Sequence, residues 1–287
     1  MNDKSLGIAE KYTIINGCTI RYVEYNPVQY KRVLMLIHGI GGSEKRWIKV
    51  APLLSKYFRV IVPDIIGFGY SCKPAAKYNI EFYTDFLANF LKNIEVENEN
   101  NEDNVDGYNG KINMVGSSFG GLLAAEFAAR YGSKIGKLVL VSPVGTSIPF
   151  VRPEFYTYSL AARNSNYEDV LRAFRNMVYD PNIITRDMVE DFIKRMQLQN
   201  AIHAFDSTLN GIRHNRDLEQ RLSKISSPVQ IVWGRNDRII PLEDQLQEYL
   251  KIPNVEVKII NECGHLPFLE KPFEFIKIVL GFLLTNN

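Results

Sequence analysis

Cysteine is scarce in this sequence and scattered where it occurs. Of 287 residues only Cys18, Cys72 and Cys263 carry a thiol. An odd count with no C-x-x-C pair argues against both a disulfide framework and a zinc site. Long apolar runs are missing as well: no uninterrupted stretch approaches the ~18 residues of a membrane span. The opening "MNDKSLGIAEKYTIINGCTIRYVEY" has no basic segment followed by an apolar core, so a cytoplasmic protein without stable membrane insertion is expected. There is no basic block interleaved with aromatics, and the formal net charge is +2. Nucleic acid therefore has no electrostatic footprint here. The charge balance says little about protein partners, and self-association as a homodimer stays open.

What is present is enough for one large α/β domain with an insertion, since 46% of 287 residues are hydrophobic. Strands are expected at Lys11 to Ile15 and Thr19 to Glu24, turned by Asn16-Gly17, then at Val33 to Ile37 and Arg59 to Val62. Helical segments follow at Trp47 to Lys56 and Ile80 to Asn93. The acidic, Asn-rich "EVENENNEDNVDGYNGK" has no periodicity and reads as a solvated loop. Further strands are expected at Lys111 to Gly116, Lys137 to Val141, "VQIVWG" after Pro228, and Val255 to Ile260, with helices at Phe119 to Tyr131, Glu243 to Leu250 and Phe273 to Leu284. Glu126 and Arg130, one turn apart, read as an exposed pair of opposite charge. Alternating strands and helices imply right-handed crossovers and a mostly parallel sheet. Between Val144 and Ser227 the pattern turns helical with hardly a strand candidate. The expected organisation is a core of residues 1–143 and 228–287, interrupted by a helical cap at 144–227.

The stretch "MVGSSFGG" falls where a strand gives way to a helix. In G-x-S-x-G the glycines allow a sharp turn that presents the serine hydroxyl at the top of a sheet, over a helix N-terminus. Gly116 and Gly120 frame Ser118, whereas the corresponding neighbours of Ser117 are Val115 and Phe119. Ser118 is thus the candidate nucleophile.

A reactive serine needs a base, and the chain holds four histidines. His265 lies in "ECGHLPFLEKP" after the last expected strand, at the carboxyl edge that carries ligands in parallel sheets. His203 and His214 fall in the cap and read as partly buried residues there, and His38 in "HGIGG" reads as shaping its loop. The base in turn needs a carboxylate to orient it. Asp237, in "WGRNDRIIP" after a strand, has the right placement. An oxyanion formed by attack needs preset donors. The N–H of Phe119, following the nucleophile, supplies one, and the "HGIGG" loop the other, with Ile40 as first choice and Gly41 as second.

With "HGIGGSEKRW", "PDIIGFGYS", "VGSSFGG", "WGRNDRIIP" and "CGHLPFLEKP" in order along nearly its whole length, the chain resembles the α/β-hydrolase fold family. The resemblance implies a mostly parallel eight-stranded sheet flanked by helices, a cap inserted after strand 6, Ser118, Asp237 and His265 as a triad, and Asp64 as support for the loop beside the site. A serine in place of an aspartate nucleophile sets the chain apart from dehalogenases and epoxide hydrolases. "HGIGG" and Phe119 set it apart from proline iminopeptidases. Hydrolases that cut carbon–carbon bonds in ring-cleavage (dienoate) products resemble it in "HGIGG" and "GSSFGG" but often carry Trp after the histidine, where this chain has Leu266. Such substrates bear a carboxylate and need a cationic group in the site, which Arg152 or Arg163 of the cap could supply, although exposed positions are expected for both. The expected activity is carboxylic ester hydrolysis through an acyl-enzyme, on small to medium apolar acyl groups lined by Phe150, Phe155, Tyr156, Phe174, Met177 and Leu266, with no metal or organic cofactor. Carbon–carbon hydrolysis is the runner-up, and a ligand-binding receptor of the same fold is the non-enzymatic alternative.

Overall fold

Val33–Ile37 and Arg59–Pro63 are buried at every position, which a strand achieves only when both faces of its sheet are covered. They form the middle of an eight-stranded sheet in a computed structural model that describes residues 7–25, 32–96, 111–145 and 152–285. The strands are β1 (Ile8–Ile15), β2 (Cys18–Tyr25), β3 (Val33–Ile37), β4 (Arg59–Pro63), β5 (Ile112–Ser117), β6 (Ile135–Val141), β7 (Val229–Gly234) and β8 (Val255–Ile260), ordered β1-β2-β4-β3-β5-β6-β7-β8. β1 and β2 run antiparallel to their neighbours, and the other pairings are parallel. Asn16 and Gly17 both take positive φ, at 51° and 78°, as a two-residue hairpin turn requires. At the two edges, β1 and β8 alternate between more and less buried positions, the signature of strands covered on one face.

The helices are α1 (Ala51–Leu54), α2 (Ile80–Val96), α3 (Phe119–Tyr131), α4 (Pro153–Asn164), α5 (Tyr167–Met177), α6 (Arg186–Met196), α7 (Ala201–Arg213), α8 (Leu218–Leu222), α9 (Leu242–Tyr249), α10 (Pro267–Glu270) and α11 (Pro272–Leu283). α2, α3, α8 and α9 pack in a chain of neighbours, and α11 packs on α1 and α10. α4 to α8 lie in sequence between β6 and β7. The chain leaves β3 toward β4 on one side, then crosses to β5 on the other. The connections leaving the carboxyl ends of β3 and β5 therefore run to opposite sides and leave a crevice at this switch point, the usual ligand position in an open α/β sheet.

Two expectations need correction. A single helix from Trp47 to Lys56 is replaced by a 3₁₀ turn at Glu44–Trp47 and the short α1, because Pro52 has no N–H and its ring would clash inside a continuous helix. Glu126 is not exposed: it is buried and accepts hydrogen bonds from Arg221 and Asn215, while Arg130 reaches Thr84 and Asp85. Cys18 and Cys72, distant in sequence, bring their Sγ atoms to 2.7 Å as free thiols. The expected acidic loop lies largely outside the described residues, from 97 to 110. Among the described residues no helix is long and apolar enough to cross a membrane.

Candidate active site

β5 ends at Ser117 and α3 begins at Phe119, so the chain turns on Ser118 alone. That residue has φ 55° and ψ −120°, a conformation costing about 1–3 kcal/mol for a residue with a side chain. Hydrogen bonds hold it in place. Ser118 N donates to Val141 O at 2.9 Å, and Ser118 O accepts from Gly121 N at 2.9 Å and Leu122 N at 3.1 Å. The framing glycines are required by space. A Cβ on Gly116 would stand 2.2 Å from Gly120 O, and one on Gly120 would stand 2.3 Å from Ile37 O. Ser117 is buried at the strand end, while Ser118 is half-buried.

Past β7 and β8 the sheet delivers the other two candidate residues. His265 Nδ1 and Asp237 Oδ2 are 2.7 Å apart, with both side chains buried. An ionised carboxylate only accepts, so the imidazole proton sits on Nδ1 and Nε2 is the unengaged nitrogen. Asp237 Oδ1 is fixed by the N–H groups of Ile239 and Ile240, each at 2.9 Å. His265 N donates to Met177 O at 2.7 Å, which ties the histidine loop to the end of α5. Glu270 gathers the N–H groups of Gly264, Leu266 and Tyr179. The sequence reading gave Glu270 no role. Its signal was a carboxylate five residues beyond the histidine.

The loop after β3 forms a turn closed by Gly42 N donating to Gly39 O at 3.0 Å, with Gly41 at φ 66°. The N–H groups of Ile40, Gly41 and Phe119 meet no acceptor among the described residues. Tyr158 Oη donates to Ile40 O at 2.7 Å, and Arg195 Nη1 donates to Gly41 O and Gly42 O at 2.7 and 3.0 Å. With their carbonyls held from α4 and α6, the turn's peptides are fixed in orientation. Neither Tyr158 nor Arg195 stood out in the sequence. Beneath the turn, His38 is fully buried: Nε2 accepts from Ile65 N and Nδ1 lies 2.8 Å from Gly39 O. Burial pushes its pKa down to about 4, so it is a neutral loop support. Asp64 has a supporting part too, accepting from Glu44 N, Tyr70 N and Arg21.

Ser118, His265, Gly39 and Ile40 line one cavity of about 40 Å³. Phe155, Met177 and Leu266 line it as expected, joined by Tyr158, Ile239, Phe268 and Arg46. Tyr156 does not: it is 60% exposed, because a neighbour one residue along a helix points about 100° away. Phe174 is buried behind the wall, stacked under Arg46 at 4.7 Å. Phe150 lies outside the described residues. Arg152 and Arg163 stay at the surface as expected, paired with Asp244 and Asp206, and neither lines the cavity. His203 and His214 are exposed rather than partly buried, and bond to backbone carbonyls of Ala76 and Asn210.

Residues 32–272 match the model of the alpha/beta hydrolase fold. The chain belongs to this family. One curated relative, a 2-hydroxy-6-oxo-2,4-heptadienoate hydrolase of Pseudomonas putida, is 28% identical over 263 residues, covering 88% of this chain and 90% of the relative. A meta-cleavage product hydrolase from Pseudomonas fluorescens IP01 superposes with TM-score 0.80 at 22% identity, over 98% of both chains, and supports the fold. A membrane phospholipase A superposes with TM-score 0.78 at 25% identity, over 96% of this chain and 86% of that one. This hydrolase therefore shares its architecture with proteins named as dienoate or meta-cleavage product hydrolases and with one named as a phospholipase A.

Proposed function

We propose that the chain hydrolyses a carbon–carbon bond in a 2-hydroxy-6-oxo dienoate, in preference to the simple carboxylic ester that the sequence alone suggests. The observation carrying this reading is the likeness, across nearly the full length of both chains, to a curated hydrolase of that substrate class. The site supplies the necessary groups. In this reading Ser118 is the nucleophile, His265 the base and Asp237 its orienting acid, with the N–H groups of Phe119 and Ile40, and Gly41 as second choice, forming the oxyanion hole. Residues 144–227 act as a lid over the core of 1–143 and 228–287, with Tyr158 and Arg195 as its clamps on the oxyanion turn.

The chemistry follows from what can leave. A carbon–carbon bond breaks heterolytically only when the departing carbon can hold an electron pair. Moving the proton of the 2-hydroxyl to C5 gives a diketo acid. Ser118 Oγ then attacks the C6 carbonyl as His265 Nε2 takes its proton, and the oxyanion rests on the backbone donors. Collapse breaks C5–C6, sends the pair into the conjugated keto acid as a dienolate, and returns the proton from His265. Water, deprotonated by His265, then frees the carboxylic acid from Ser118.

Ester hydrolysis is the second reading, favoured by Leu266 beside the base and by the apolar Phe155 and Met177. It needs the same acyl-enzyme with an alkoxide leaving group. Assay of the purified protein with 2-hydroxy-6-oxohepta-2,4-dienoate and with p-nitrophenyl butyrate separates the two. The dienoate should show the higher kcat/KM and yield acetate plus 2-hydroxypenta-2,4-dienoate. The reverse ranking would return the chain to the esterases, and turnover of neither would favour a binding protein.

A further inference from the structure

Four basic side chains surround Asp64, Asp191 and the cavity: Lys45, Arg46, Lys73 and Arg195. Three of them are engaged. Lys45 and Arg195 share the carboxylate of Asp191, and Arg195 also donates to the Gly41 and Gly42 carbonyls. Lys73 donates to the carbonyls of Gly69 and Ser71. Arg46 alone lines the catalytic cavity. It stacks on Phe174 with its guanidinium carbon 4.7 Å from the ring centroid, and among the described residues its side chain has neither an ion pair nor a hydrogen bond. Stacking takes up one face of the guanidinium and leaves its in-plane N–H donors free.

We propose that Arg46 is the specificity-determining residue that binds a carboxylate of the substrate inside the catalytic cavity, so that the preferred substrates are organic acids. Burial, the largest influence on Arg46, pulls its pKa below the ordinary guanidinium value, and neighbouring Arg195 adds to this. An anion docking beside it removes that penalty, and the planar fork of donors fits a carboxylate with two parallel hydrogen bonds. Inorganic cations are excluded by the same charge, and neutral acyl chains leave the donors unsatisfied. The inference deepens the proposed dienoate reading but does not require carbon–carbon cleavage.

The test compares the wild-type chain with Arg46→Gln and Arg46→Lys on three aryl esters: neutral p-nitrophenyl butyrate, p-nitrophenyl hydrogen glutarate with the carboxylate on the acyl side, and 4-carboxyphenyl butyrate with it on the leaving group. For one of the acidic esters, the ratio of its kcat/KM to that of the neutral ester should fall about tenfold to a hundredfold in Arg46→Gln, mainly through KM. Arg46→Lys should recover part of the loss, and the losing ester shows which side of the reacting carbonyl faces Arg46. An unchanged ratio for both acidic esters overturns the inference, as does a loss shared equally by the neutral ester, which would mean a packing role. Should no ester be turned over, calorimetry with butyrate and butyramide makes the same comparison. A selective loss on the acidic ester without dienoate cleavage keeps the inference and removes the dienoate reading.

Discussion

Ser117 and Ser118 share a residue type and a cavity, yet their backbones differ. Ser117 closes β5 in extended conformation, while Ser118 sits at φ 55° with its carbonyl anchoring the first turn of α3. Ser118→Ala should lower turnover by about a millionfold, the scale on which a serine triad loses its nucleophile. Ser117→Ala should keep most of it, and steady-state rates with any accepted substrate give the comparison. His38 offers a test that needs no substrate. Burial holds its pKa at about 4, below the ordinary value of about 6.5. Between those two values the unfolded chain binds a proton that the folded chain refuses. Stability contributed by this group is therefore full above pH 6.5, falls as pH falls, and levels off below about pH 4. Following the four histidine ring protons by NMR, one imidazole should remain neutral down to about pH 4. Four ordinary titrations near pH 6.5 would contradict the buried, neutral assignment.

At the scale of elements, the sheet was largely legible because its strands carry their own signals. Val33–Ile37 is an unbroken apolar run, and Asn16-Gly17 specifies a hairpin turn. The candidate triad was legible for a related reason: Ser118, Asp237 and His265 each follow a strand, and strand ends converge in a parallel sheet. What escaped depends on partners remote in sequence. Glu126 looked like half of a surface pair until α8 brought Arg221 against it. Arg46 gains its meaning only when Asp191, on α6, is taken up by Lys45 and Arg195. Tyr156 was misplaced for a local reason, because the register of α4 decides which of two adjacent aromatics faces inward. Cys18 and Cys72 belong to the same class of long-range facts, one opening β2 and the other in the loop after β4. Treatment with diamide should link them as a disulfide, two thiols giving up two electrons and two protons to the azo reagent. Peptide mapping without reductant should show Cys18 joined to Cys72 and Cys263 left free. Both thiols remaining alkylatable after oxidation would contradict the juxtaposition.

Across the whole molecule, the site is assembled from two parts of the chain with different tasks. The sheet presents Ser118, Asp237 and His265 at its carboxyl edge, and the helices between β6 and β7 send Tyr158 and Arg195 onto the carbonyls of the turn after β3. Phe155 and Met177 add apolar side chains to the wall of the cavity that Ser118 and His265 line. Apolar side chains beside Ser118 and His265 lower the local polarity, which strengthens the pull of preset backbone donors on a developing oxyanion. The central claim is that Ser118 becomes acylated by a substrate whose leaving group is carbon. Its most direct test is mass spectrometry of the protein quenched during turnover of 2-hydroxy-6-oxohepta-2,4-dienoate, followed by proteolysis. An acetyl group should appear on the peptide containing Ser118 within the first turnover, and both it and dienoate loss should vanish in Ser118→Ala. Dienoate cleavage at an undiminished rate in Ser118→Ala, with no acetylated peptide in the wild-type protein, would contradict it.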